Sequence, residues 1–168
     1  MLEKDDWKIA IEDARFRQNA LMQLIYAGDR QALSLLRLFL TLAVAAAGGA
    51  LSIFLGTWSL PIEAAWALSA ASALLLGSAV SCTLAIMGGA VNLAGRGAEF
   101  WLWAAEKSVT REEAFIAYLQ NLEAKHETNK VRNLKQARAL MVAKIGGLIA
   151  TPIAAAIGAS AYFWSRWG

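Results

Sequence analysis

Charge is what this chain has least of: Asp, Glu, Lys and Arg make up 17% of its 168 residues, against about 25% in an ordinary soluble domain. The shortfall is concentrated in two places. Residues 38 to 95 carry one charged side chain, Glu63, and residues 145 to 165 carry none, which argues against a water-soluble globule. A single cysteine, Cys82, excludes an intrachain disulfide. Walker A, HExxH, GxSxG and paired-cysteine motifs are absent, and no acid–base pair stands at a meaningful spacing within the apolar runs. No catalytic residue, metal ligand or cofactor is therefore assigned, and an enzyme is not expected. The net charge of +3 is too small and too dispersed for nucleic acid to be the main partner.

What is there is apolar: 58% of the residues, before the 13 glycines are counted. A hydrocarbon core about 30 Å thick needs about 20 helical residues, and three runs reach that length. The expected fold is an all-α membrane protein with three transmembrane helices and long amphipathic cytoplasmic helices. Residues 1–37 form an N-terminal amphipathic helix, 38–58 the first span and 62–95 the second. An interfacial segment over 96–110 follows, then a cytoplasmic helix over 111–144 and a third span over 145–165. About 37 mixed-charge residues precede the first run, far more than the basic start of a signal peptide, so that run is expected to be retained as an anchor.

Trp7, Ala10, Ala14, Leu21, Ile25, Ala32 and Leu35 recur at near-helical spacing in the first segment, where Gly28 is the only breaker. Pro61 suits the start of the second span, making spans one and two a tight hairpin. From Trp66 to Trp101 a straight helix would extend roughly 52 Å, so it must tilt, project or break, with Gly88-Gly89 and Gly95-Arg96-Gly97 as break points. Thr110 and Glu113 form a capping box that starts the next helix near Arg111, and Pro152 is expected to kink the third span. The first hairpin turn has no Lys or Arg, while residues 1–37 hold six and 96–144 hold nine. The positive-inside bias then places the N-terminus in the cytoplasm and the C-terminus outside. Trp58, Trp66, Trp164 and Trp167 form an outer aromatic belt.

Three patterns stand as candidate sites. Small residues repeat every four positions: Gly48, Ser52 and Gly56; Ser69, Ala73, Gly77, Ser81, Ala85 and Gly89; Gly146, Ala150, Ala154 and Gly158. Such ladders let helix backbones approach closely, and their number suggests self-association or a membrane-complex partner. Glu63, Ala67, Ala70, Leu74, Ser78, Ser81, Ala85, Gly88 and Asn92 share one helical face, which reads either as a pore lining or as a dry packing seam. Lys130, Arg132, Lys135, Arg138 and Lys144 form a basic run suited to anionic lipid headgroups.

Two weaker patterns lie on the charged helix. Phe115, Leu119, Leu122, His126, Asn129, Asn133, Ala137 and Leu140 form a stripe with a polar layer in its middle. Such a layer fixes oligomer register, or else the polar stretch from Glu123 to Lys130 is a solvated face or a helix break. Glu123-x-x-His126 has the spacing of di-iron ligands, but a real centre needs a second copy and two more glutamates.

The layout has a relative in outline. An amphipathic helix carrying Arg15, Arg17, Arg30 and Arg37, followed by a tight hydrophobic hairpin and a charged helix, resembles the SLATT-type membrane effectors of bacterial nucleotide-signalling defence systems. The resemblance covers roughly residues 10 to 125, and the third run from Ile145 departs from that family's two-span pattern. It implies a small oligomeric membrane protein, pore-forming or membrane-perturbing, that acts when a partner signals. The alternative is a non-conducting accessory subunit of a larger membrane complex.

Overall fold

The computed structural model describes residues 4–167, with side chains described from Trp7 onward. Four helices follow one another: α1 (Lys4–Phe54), α2 (Ile62–Ile86), α3 (Ala98–Ala104) and α4 (Arg111–Trp167). Three of them, α1, α2 and α4, are long and apolar enough to cross a membrane. The described residues divide into two compact units. One comprises the described residues up to Ala27 with Gly88–Lys135, and the other Gly28–Met87 with Gln136–Gly168.

α1 is uninterrupted at Gly28 and α4 at Pro152. α1 stops where Gly56 adopts φ +70, a left-handed conformation that glycine enters without steric cost. The Ser52 carbonyl then accepts from the amides of Thr57 (3.0 Å) and Trp58 (3.3 Å) and from the Thr57 hydroxyl (2.8 Å). Pro61 caps α2, whose first turn carries Glu63 against the positive end of the helix dipole. At α4 the capping box closes both ways. The Thr110 amide donates to Glu113 Oε2 at 2.8 Å, and the Glu113 amide donates to Thr110 Oγ1 at 3.2 Å.

The second apolar run corrects the expected span of 62–95, because the helix ends at Ile86. Met87 donates its amide to the Thr83 carbonyl at 3.0 Å as the last helical bond. Gly89 (φ +99) and Gly95 (φ +113) hold conformations that a helix cannot contain. Hydropathy continues past residue 86, but the backbone does not. Gly88 and Asn92 therefore do not extend the α2 face, and Gly89 does not extend its small-residue ladder.

In the unit of Gly28–Met87 and Gln136–Gly168, alanine dominates the interior. Phe39, Ala43, Leu75, Ala79, Cys82, Ala143 and Ala150 form one cluster, and Ala32, Ala85 and Leu140 a second. Small side chains let backbones touch, and the glycines show where. A Cβ on Gly147 would meet the Phe39 ring at 2.5 Å, and one on Gly49 would meet Leu68 at 3.2 Å. Ser72 sends its hydroxyl across to the Ala43 carbonyl at 3.0 Å, a buried bond between α2 and α1. Near the start of this unit a Cβ on Gly28 would meet the Gln136 amide at 2.6 Å. Gln136 reaches that position to donate to Asp29 Oδ1 at 2.6 Å.

Candidate functional site

The polar face of α2 is turned inward along much of its length. Ser78 is 3% exposed, and a Cβ on Gly146 of α4 would meet its Oγ at 2.5 Å. About three to four turns toward the N-terminus of α2, a Cβ on Gly158 would stand 3.1 Å from Ala67 Cβ and 3.6 Å from the Glu63 carbonyl. Ser165 closes the seam by donating to Glu63 Oε1 at 2.6 Å. Ala85 is buried and Leu74 packs against the core cluster. Ala70 is half-buried on the same helix. The serines need no outside partner, because Ser69, Ser78 and Ser81 donate to the carbonyls of Ala65 (2.8 Å), Leu74 (3.0 Å) and Gly77 (3.1 Å).

The ladders divide by use. Ala150 and Ala154 are buried, and with Gly146 and Gly158 they spend the α4 ladder inside the chain. Ala73 and Gly77 of α2 are exposed, and a Cβ on Gly77 would meet nothing within 4 Å. Gly48 on α1 is equally open.

In the unit containing Gly88–Lys135, the segment after α2 is held by side chains rather than by backbone partners. Asn129, fully buried, grips Asn92 twice: its Oδ1 accepts the Asn92 amide at 3.0 Å and its Nδ2 donates to the Asn92 carbonyl at 2.9 Å. Gln18 of α1, also fully buried, donates to the same carbonyl at 2.8 Å. Lys125 donates to the carbonyls of Leu93 (3.0 Å) and Gly95 (2.7 Å), and Arg96 to that of Ala117 (3.0 Å). Buried backbone polar groups must be paired, and an irregular segment has only side chains to pair them. The stretch from Glu123 to Lys130 is no helix break, since α4 runs through it; Glu123, Glu127, Thr128 and Lys130 are exposed, while Asn129 in the middle is buried. Sequence reading missed Gln18 and Lys125, whose partners lie 74 and 30 to 32 residues away.

The same unit holds an aromatic cavity of about 540 Å³ lined by Ile11 and Arg15 of α1, Phe100, Trp101 and Ala104 of α3, and Arg111, Ala114, Phe115 and Tyr118 of α4. Ala105, Glu106 and Val109 complete the wall. Arg15 donates through Nε to the Tyr118 hydroxyl at 2.8 Å, and Arg111 lies 5.1 Å above the Phe115 ring. Trp7 stacks on Phe115 at 5.6 Å beside a smaller cavity that Arg111 and Glu112 share.

Of the basic run, Lys130, Lys135, Arg138 and Lys144 are exposed and Arg132 is buried; Lys130 pairs with Glu127 at 3.1 Å and Lys144 donates to Gln31 at 3.3 Å. Glu123 pairs with Arg17 at 2.8 Å. Trp58, Trp66, Trp164 and Trp167 are all more than half exposed, and Trp66 and Trp164 line one cavity of about 570 Å³. Comparison with protein families, with curated proteins and with solved structures returns no match.

Proposed function

We propose that this chain is an integral membrane protein of three spans that acts as a non-conducting packing subunit. On this reading it joins a larger assembly through the open small-residue faces of α2 and α1. The observation that carries the reading is the seam between α2 and α4. The face best suited to line water, through Glu63, Ala67 and Ser78, is covered by Gly158 and Gly146 of the same chain. A side chain filling the space between two helices of one subunit is not available to a pore around a shared axis. The Ala73 and Gly77 face remains for a partner, and lipid tails give helices no hydrophobic reason to associate, so close backbone contact must supply it. The proposed topology puts the N-terminus in the cytoplasm and the four exposed tryptophans at the outer interface of a bacterial inner membrane.

A second reading, an oligomeric pore or membrane-perturbing effector of the SLATT type, has one observation in its favour. Ser81 is only half-buried and adjoins the open Gly77, so a ring of α2 helices would bring Ser81 to its axis. Planar-bilayer recordings separate the two. Wild-type protein should pass no current, and Ser78→Asp should fail to assemble, since a carboxylate buried in the seam without a partner costs a few kcal/mol on insertion scales. Wild-type conductance that turns cation-selective in Ser78→Asp or Ser81→Asp sinks the packing-subunit reading and establishes the pore.

A further inference from the structure

The aromatic cavity in the unit of Gly88–Lys135 has a chemistry that the packing role does not use. Four aromatic side chains, Phe100, Trp101, Phe115 and Tyr118, make its wall, and two guanidinium groups stand at it. Among the described residues, Arg111 makes no hydrogen bond or ion pair; its guanidinium lies 5.1 Å over the Phe115 ring, and it also borders the smaller cavity with Glu112. Among the described residues Arg15 hydrogen-bonds through Nε alone, to Tyr118, which leaves its four terminal N–H donors without a partner there. Against these two cations the wall holds one carboxylate, Glu106, which is exposed. Two unfilled guanidinium forks select for an oxyanion that accepts two hydrogen bonds from each, and phosphate fits that geometry. The aromatic wall selects for an apolar body attached to it.

The cavity volume lies within the usual range for a small-molecule site, about 300 to 1,000 Å³. It is too small for both chains of a lipid, but the apolar surface continues outside it over Trp101 and Leu102, which are 54% and 71% exposed. No residue of α3 is fully buried, although Phe100 and Trp101 both lie 6.0 Å from the Tyr118 ring.

We propose that this cavity binds an anionic phospholipid, with Arg15 and Arg111 on the phosphate and the first acyl segments along Phe100, Trp101 and Phe115. The proposal rests on the membrane reading above. Native mass spectrometry of the full chain in non-ionic detergent tests it, by titrating phosphatidylglycerol, phosphatidylcholine and glycerol 1-phosphate. Phosphatidylglycerol should bind at one site in preference to phosphatidylcholine. Arg15→Gln or Arg111→Gln should each weaken it about tenfold, the worth of a charged hydrogen bond. Ala104→Trp, which fills the cavity and leaves both arginines in place, should abolish the preference while circular dichroism remains unchanged.

Equal binding of the two lipids overturns the proposal, and so does an unchanged preference in the arginine variants and in Ala104→Trp. Equally tight binding of glycerol 1-phosphate also overturns it, because the apolar wall would then contribute nothing. Loss of the preference on replacing Lys130 and Lys135 instead assigns the lipid to the basic run and refutes the cavity. Alkaline extraction of membranes reports separately on the reading beneath it. A chain that stays in the pellet yet shows no lipid preference refutes only the cavity site, and a chain that is released refutes the membrane reading.

Discussion

The same substitution, glycine to alanine, should have opposite effects at Gly147 and Gly77. Both lie inside helices, where alanine is favoured over glycine by at most about 1 kcal/mol. At Gly77 nothing stands within 4 Å of the new methyl, so that gain is realised in full. At Gly147 the methyl would lie 2.5 and 2.6 Å from two ring carbons of Phe39, which is 6% exposed and anchored in the main core cluster. A ring so held cannot swing aside as a long side chain would, so α4 must back away from α1. Overpacking of this kind costs about 1 to 3 kcal/mol. After the helix gain, Gly147→Ala should be destabilised by about 1 kcal/mol and Gly77→Ala stabilised by up to about 1 kcal/mol, a gap of about thirtyfold in the unfolding constant. Unfolding in mixed micelles, followed by circular dichroism against the mole fraction of a denaturing detergent, reads the difference. Phe39→Leu shortens the obstacle, so the double variant with Gly147→Ala should show a coupling that the two single changes do not sum to. If Gly147→Ala and Gly77→Ala shift the midpoint alike, or if the double variant is merely additive, α4 and α1 are not in the contact described.

Two further outcomes follow from the unit of Gly88–Lys135. Asn129→Leu removes both the acceptor for the Asn92 amide and one donor to its carbonyl, and leaving a buried amide unpaired costs about 1 to 3 kcal/mol. Amide exchange at residues 91–95 should accelerate far more than exchange in α2, and equal acceleration in both would contradict the clamp. Glu113 is held below its usual pKa by the Thr110 backbone amide first and the Thr110 hydroxyl second. A carboxylate with a lowered folded-state pKa contributes fully above its unfolded value, about 4.3, and loses that contribution as pH falls through the folded one. The Thr110 amide proton shift should therefore be constant at neutral pH and titrate in acid. In Glu113→Gln, which can still close the box, it should stay flat, and a titration that persists there places the responsible group elsewhere.

Much of the helical framework was readable from local pattern. The capping box at Thr110 and Glu113 starts α4, and the glycine-rich stretch after residue 86 carries the break. The length of α2 was misread because Ala90, Val91 and Leu93 keep the hydropathy high where Gly89 has already turned the backbone out of the helix. The candidate face was harder, since a periodic row of Ala and Ser shows which residues point together but not at what. Ser78 meets Gly146 across 68 positions of chain, and no periodicity within α2 encodes that. The aromatic cavity is likewise assembled from three elements, so Arg15 gave no local sign of meeting Tyr118.

The clamp on residues 88–97 also bears on the order in which the chain can take shape. Except for Gln18, the side chains that grip Asn92, Leu93 and Gly95 lie 30 to 37 residues downstream, at Lys125 and Asn129. When this stretch is synthesised those partners have not yet been added, so at that point they cannot receive its polar groups. The irregular conformation is decided retrospectively, by a helix synthesised later. A chain cut before Lys125 would carry the whole second apolar run with most of that grip missing, so the exit of α2 is finished only when α4 has arrived to finish it.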